Sequence, residues 1–263
     1  MGLSGTGPGL VDAHAHLARL PDPEGALRRA AAAGVRAVLA VLGEDAGDGA
    51  EAAVRAAGLP WAAARGIHPE QDWDGAAGVA ALERARRFAP GPGTAAVGEV
   101  GLPSYTPVGA AGRRRAAEAF TRQLAVAEAA GLPVVVHAVH GAADPARRQL
   151  AGFRVRAVFH WLKAPPEVVE AIVADGHWVS VTPEVVWRER DRALLAHIPP
   201  DRILAETDAP CAHDPARRQP SEPADVAAVY AALAALQPEV DWVGRLAANY
   251  RAWLLGPAAP GGG

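Results

Sequence analysis

The chain has 263 residues, half of them hydrophobic, with acidic and basic side chains interspersed and a formal net charge of -3. That balance excludes a general field for holding polyanions, and the single cysteine, Cys211, excludes an intramolecular disulfide and a four-cysteine zinc site. No apolar run approaches the roughly 18 residues of a membrane span, so no membrane association is expected.

The opening Met1-Gly2-Leu3-Ser4-Gly5-Thr6 carries no basic segment before an apolar core, so no signal peptide is read. It fits the loose N-myristoylation pattern, but the same residues suit a flexible leader over 1–8. One cysteine and no export signal together suggest a reducing cytoplasm. The body, 9–256, reads as a single domain of alternating strands and helices, and 257–263 as a disordered Pro/Gly tail.

In chain order, a strand over 9–15 is followed by Pro23, which suits a first helical turn, and a helix over 24–33 stopped by Gly34. A continuous apolar strand over 35–41 has the composition of one buried on both faces. The unit recurs: loop and helix over 43–57, strand 59–64, helix 75–89, strand 94–100, and a long helix 110–130 closed by Gly131. Strand 133–137 precedes helix 142–152, strand 156–160 precedes helix 165–174, and strand 178–181 precedes helix 189–196. Strand 203–207 is followed by helices 223–236 and 242–255. Eight short apolar strands, each followed by a helix, predict an α/β fold of the (β/α)8 TIM-barrel type. An open doubly wound sheet is the alternative, but no Gly-x-Gly-x-x-Gly follows the first strand.

Barrels of this kind carry their chemistry at the C-terminal strand ends. Those ends hold His14 and His16, His68, Glu99, His137, His160 and Asp208. His14 and His16 lie two apart in an extended segment and so share a face. Four histidines and two carboxylates (His14, His16, Glu99, His137, His160 and Asp208) suffice for two divalent ions if Glu99 bridges, with positions left for water. The donor set suits zinc, manganese, iron or, less well, magnesium. Asp12 and Glu206 stand where carboxylates would orient imidazoles. His177 and His197 fall near strand starts, the wrong end for chemistry, and Cys211 reads as packing. His213, Arg217 and Arg218 form a basic loop that could meet phosphate or solvent.

The segments Asp12-Ala13-His14-Ala15-His16, Gly66-Ile67-His68-Pro69, Gly98-Glu99-Val100-Gly101-Leu102, Leu132-Pro133-Val134-Val135-Val136-His137, Val158-Phe159-His160 and Glu206-Thr207-Asp208-Ala209-Pro210 resemble, in that order, the motifs of the TatD family of metal-dependent hydrolases. The resemblance extends to Asn249 in the last helix. It implies a (β/α)8 barrel of the amidohydrolase-like superfamily and metal-dependent 3'-to-5' degradation of DNA. It also implies one ion on His14, His16, Glu99 and Asp208 and another on Glu99, His137 and His160.

Two positions depart from the family pattern: Pro103 stands where the family has Asp, and Val139 where it has Arg, a forked phosphate donor. Trp161-Leu162-Lys163 replaces a Cys-Phe-Ser run. His140 or Lys163 could restore a cation, and His68 could contact substrate. The expected activity is phosphodiester hydrolysis of DNA or a small phosphoester by a metal-bound hydroxide at a dinuclear site, with Asp208 and Glu99 as catalytic residues, in a monomer. A carbonyl substrate (amide, lactone or aminoacyl ester) is the alternative that the missing Arg motivates, and a metal- or partner-binding barrel without turnover is the third reading.

Overall fold

Eight strands pair in sequence order, all parallel, in the computed structural model, which describes residues 9–43, 48–213, 216 and 219–256. They are β1 (Leu10–Ala15), β2 (Val35–Gly43), β3 (Ala63–Gly66), β4 (Thr94–Gly101), β5 (Val134–His137), β6 (Ala157–Phe159), β7 (Trp178–Val181) and β8 (Ile203–Ala205). Around them run α1 (Pro23–Ala32), α2 (Asp48–Ala56), α3 (Ala76–Arg87), α4 (Ala110–Ala130), α5 (Ala143–Leu150) and α6 (Pro166–Ala174). The series continues with α7 (Glu184–Trp187), α8 (Glu189–Leu194), α9 (Val226–Leu236) and α10 (Trp242–Leu255). The leader, the tail, Arg217 and Arg218 lie outside the described residues.

Local chemistry explains the punctuation. The Asp22 side chain accepts from the Gly25 N–H at 2.9 Å and Pro23 opens α1, so two start signals coincide. Gly131 ends α4 in the left-handed conformation at φ 66°, which glycine adopts without steric cost. Strand β3 begins at Ala63, not at Leu59. The apolar run before it is largely buried, but only its end joins the ladder, through Ala62 O accepting from Ala40 N–H. The segment after Pro183, which sequence reading leaves without structure, forms the single turn α7.

The core has two compartments. Val38, Ala40 and Leu42 of β2 pack outward with Leu27, Phe120 and Leu124 of the helices. Ala37, Leu39 and Val41, the alternate positions of the same strand, belong instead to a second cluster with Ala64, Ala96, Val135, Val158 and Leu204. That is the barrel interior. Its many alanines leave room that Tyr250, Trp253 and Leu254 of α10 fill, and Asn249 ties that helix down by donating to Pro200 O at 2.7 Å and Ile203 O at 2.8 Å.

Closure between β1 and β8 is made beyond the end of β8. Asp208 N–H donates to His14 O at 2.9 Å and His16 N–H to Ala209 O at 2.7 Å. The barrel is thus closed by the backbone of three residues whose side chains were expected to bind metal. No helix among the described residues is long and apolar enough to cross a membrane.

Candidate metal centre

All six expected ligands stand at the C-terminal strand ends and converge. His14 is in β1 and His16 directly after it, Glu99 is in β4, His137 ends β5, His160 follows β6 and Asp208 follows β8. Each is at most 9% exposed, a degree of burial that ionisable side chains tolerate only when paired or bound to an ion.

The first donor set surrounds Glu99 Oε2. His14 Nε2 lies 3.5 Å from His16 Nε2, 3.6 Å from Glu99 Oε2 and 3.4 Å from Asp208 Oδ1. His16 Nε2 lies 3.1 Å from Glu99 Oε2 and 3.3 Å from Asp208 Oδ1. Bonds of roughly 2.0–2.2 Å to one tetrahedral ion hold donors about 3.3–3.6 Å apart, so four of these five separations match a metal cage and the fifth, 3.1 Å, is slightly shorter. Glu99 Oε2, which this set surrounds, is buried without a hydrogen-bond donor.

The second set surrounds Glu99 Oε1. His160 Nε2 lies 2.9 Å and His137 Nδ1 3.3 Å from that oxygen, with 3.0 Å between the two nitrogens. His68 Nε2 approaches the same oxygen at 3.5 Å. Its other nitrogen, Nδ1, accepts the Glu70 backbone N–H at 3.1 Å, so the neutral ring keeps its proton on Nε2 and points a donor at Glu99. The histidines of the two sets also stack, His14 on His160 with ring centroids 4.2 Å apart.

Electrostatics follow this convergence. Burial alone would push the Glu99 carboxyl up, but the imidazoles of His160, His14 and His68 hold it well below the usual carboxylate range. Burial likewise opposes a charge on His16, yet Asp208 and Glu99 outweigh it and hold its pKa at about 9. His160 is raised well above its ordinary value, against burial, by Glu99 and Glu206, whereas burial beside His160 lowers His14. Asp208 is lowered, against burial, by His16 and His14. A metal-free centre therefore holds anionic carboxylates and partly protonated imidazoles, with cations doing what ions would do.

The supporting carboxylates divide the work. Glu206 accepts from Ser180 Oγ at 2.6 Å and faces His160 Nδ1 at 3.5 Å and His14 Nδ1 at 3.9 Å. Asp12, expected to orient an imidazole, instead accepts from the N–H of His14 at 3.2 Å and of Thr207 at 2.9 Å and from Thr207 Oγ1 at 2.6 Å. It holds the backbones that carry His14 and Asp208, because its side chain turns into the β1–β8 seam. Burial raises it well above the usual carboxylate range.

A cavity of about 170 Å³ opens over the centre, lined by ligands and by Arg19, His68, Tyr105, Val139, Trp161 and Pro210. Among the described residues Arg19 is the one arginine or lysine in that lining. Sequence reading missed it, although a basic residue three positions past His16 was a usable signal. Lys163 and His140 line a neighbouring cavity instead. The Lys163 ammonium lies 3.4 Å from buried Glu184 and 3.9 Å from the Trp161 ring centroid, which occupies its charge. Glu184 also accepts from Trp161 Nε1 at 3.0 Å and pairs with Arg188 at 2.8 Å. Cys211 is half-buried and its thiol is pushed up to about 11 by burial and by Asp208. His177 packs near Phe159 at the start of β7, His197 pairs with Glu170 at 2.8 Å, and His213 is buried with Nε2 at Thr207 O.

Comparison with known proteins identifies the family. A family model described as TatD related DNase matches residues 11–252. An uncharacterized metal-dependent hydrolase of Haemophilus influenzae is 27% identical over 165 residues, 57% of this chain and 61% of that protein. A 3'-5' ssDNA/RNA exonuclease TatD of Pantoea vagans is 33% identical over 201 residues, 72% of this chain and 74% of that protein. Among solved structures, the TatD homologue YJJV of Escherichia coli K12 superposes with a TM-score of 0.76 at 26% identity, over 94% of this chain and 98% of that one. With the match spanning nearly the whole barrel and the donor sets standing at its C-terminal mouth, this chain belongs to the TatD-related DNase family of metal-dependent hydrolases.

Proposed function

We propose that this protein is a phosphodiesterase that removes nucleotides from the 3' end of single-stranded DNA or RNA, with two divalent ions sharing Glu99. The observation that carries this reading is the split of one buried carboxylate between two donor sets, Oε2 toward His14, His16 and Asp208 and Oε1 toward His137 and His160. The names of the relatives support nucleic acid as the substrate. Zinc, manganese, iron and magnesium all suit nitrogen and oxygen donors. When bound there, the ions supply Lewis acidity to a phosphoryl oxygen and allow water to act as a nucleophile at neutral pH.

The chain's own residues do the rest. Asp208, held ionised, accepts the proton of the attacking water and passes it toward the leaving oxygen. His68 lines the cavity with Nε2–H facing Glu99 Oε1, where a phosphate oxygen drawn to the ions would meet it as an acceptor. Arg19 offers the forked guanidinium that Val139 cannot. The scissile phosphodiester takes the cavity of about 170 Å³ over the donor sets. Tyr105, 57% exposed at its rim, presents a ring for stacking. We read the enzyme as a monomer, and the lone cysteine supports a reducing cytoplasm.

The test is release of labelled nucleotides from a single-stranded oligonucleotide by chelator-stripped protein reloaded with manganese, zinc or magnesium. Metal-restored cleavage from the 3' end that Asp208→Asn lacks is the expected result. The buried apolar wall at Val139, 3% exposed, favours a carbonyl substrate as the second reading. Metal-dependent hydrolysis of a lactone or amide without cleavage of DNA or RNA would replace the first reading by that one.

A further inference from the structure

Two neighbouring histidines that face the same oxygen of Glu99 are prepared for opposite tasks, and one residue separates them. Glu70, in the loop after β3, is part-buried and uses both its backbone and its side chain. Its N–H donates to His68 Nδ1 at 3.1 Å, and its carboxylate Oε1 faces His137 Nε2 at 3.3 Å. The same carboxylate is pinned from the other side by three backbone N–H groups: Ser104 at 2.6 Å and Tyr105 at 3.0 Å on Oε1, Thr106 at 2.7 Å on Oε2. Pro103, just before that loop, offers neither an N–H nor a polar side chain, so the anchor for the loop comes from 70.

We infer that Glu70 is a positioning residue that sorts the two imidazoles, fixing His137 as a ligand through Nδ1 and His68 as a donor through Nε2. A carboxylate facing Nε2 of His137 stabilises the tautomer with its proton there, which frees the Nδ1 lone pair toward Glu99 Oε1 and His160 Nε2. An N–H facing Nδ1 of His68 has the opposite effect on that ring: its lone pair is used up and its proton faces inward. His137 thereby differs from His14, His16 and His160, which turn Nε2 toward Glu99. Because three fixed N–H groups hold the carboxylate, its position beside His137 is set before any ion arrives. The same bonds place Tyr105 over the centre, so a change at Glu70 moves the cavity rim together with the second donor set.

This inference rests on the two-ion reading, and its test separates the two. The affinity for a first and a second manganese ion is measured by chelator competition in wild type, Glu70→Gln, His137→Ala and the double variant. In Glu70→Gln the second ion binds about 10- to 100-fold more weakly, the usual effect of losing such a partner, while the first ion keeps its affinity. In the His137→Ala background the Glu70 change has no further effect, since it acts through that ring. Wild-type affinity for both ions in Glu70→Gln, or additive losses in the double variant, would overturn the inference. Binding of fewer than two ions by wild type would overturn the two-ion reading instead. Histidine ¹⁵N spectra of the zinc-loaded wild type provide a check free of substitutions: His137 carries its proton on Nε2, and a proton on Nδ1 would refute the assignment.

Discussion

Metal uptake at the first donor set should depend steeply on pH between 7 and 9, because of His16. In the metal-free protein this imidazole titrates at about 9, held up by Asp208 and Glu99 against the effect of burial. A ligand must shed its proton to bind an ion, so the ion competes with the proton. With a pKa of about 9, the neutral fraction of His16 is about 1% at pH 7, about 9% at pH 8 and about half at pH 9. Apparent affinity for the first ion therefore rises about ninefold over the first unit and about fivefold over the second, then flattens. That is about 50-fold in all, or about 2.3 kcal/mol. The sign follows from the raised pKa: the metal-free state binds the proton more tightly than a free imidazole, so affinity is gained as pH climbs through that value. His14, lowered by burial, is already neutral over this range and adds nothing. Chelator competition at pH 7, 8, 9 and 10 gives the profile, and calorimetry in buffers of different ionisation enthalpy counts about one proton released per first ion at pH 7. Asp208→Asn removes the main group raising His16, so the profile should level off at lower pH even though absolute affinity falls. Affinity independent of pH between 7 and 9, or an unshifted profile in Asp208→Asn, would refute the reasoning.

Two further outcomes follow from the cavity and the fold. Arg19→Ala should lower kcat/KM on single-stranded oligonucleotides about tenfold by removing one charge-assisted contact from an exposed arginine, with metal content unchanged and the slope of log kcat/KM against log salt reduced by about 0.7; Val139→Arg in that background should restore part of the loss, and an unaltered salt slope in Arg19→Ala would remove Arg19 from substrate binding. Asn249→Ala orphans the buried carbonyl of Ile203 and the part-buried one of Pro200, so urea unfolding should show a loss of about 1–3 kcal/mol, and a loss below about 0.5 kcal/mol would mean that water or backbone movement re-satisfies both.

The ligands were legible in the sequence and their supports were not, for a physical reason. An imidazole at the C-terminal end of a strand advertises itself through the strand's own apolar pattern, as Val134, Val135 and Val136 do for His137, and parallel order then brings such ends together. The same logic reaches the seam: once β1 and β8 are neighbours, the residues after β8 must meet His14 and His16. Glu70 has no such herald. It acts across 67 positions on His137 and across more than 30 on the backbone of Ser104, Tyr105 and Thr106, and backbone N–H groups carry no residue identity to read. Asp12 shows the opposite error. It stands where a carboxylate would orient an imidazole, but its oxygens are claimed by Thr207, a partner that only barrel closure supplies.

The substitutions at Pro103 and Val139 gain meaning in this light. Read one at a time, each subtracts a polar group from a site that handles anions. In the fold, the subtraction at 103 lies beside a carboxylate brought from 70, and the subtraction at 139 lies in a cavity that Arg19 also lines. Glu70 and Arg19 both stand in segments that directly follow strands at the same barrel mouth, β3 for Glu70 and β1 for Arg19. A barrel permits this because its strand ends form a ring, so a polar group can reach one point from several loops while the six ligands stay in place. If Glu70 and Arg19 serve in place of the family's Asp and Arg, relatives that keep those residues at the positions of 103 and 139 should lack the carboxylate at 70 and the guanidinium at 19, and a sequence comparison of relatives at these two pairs of positions tests it.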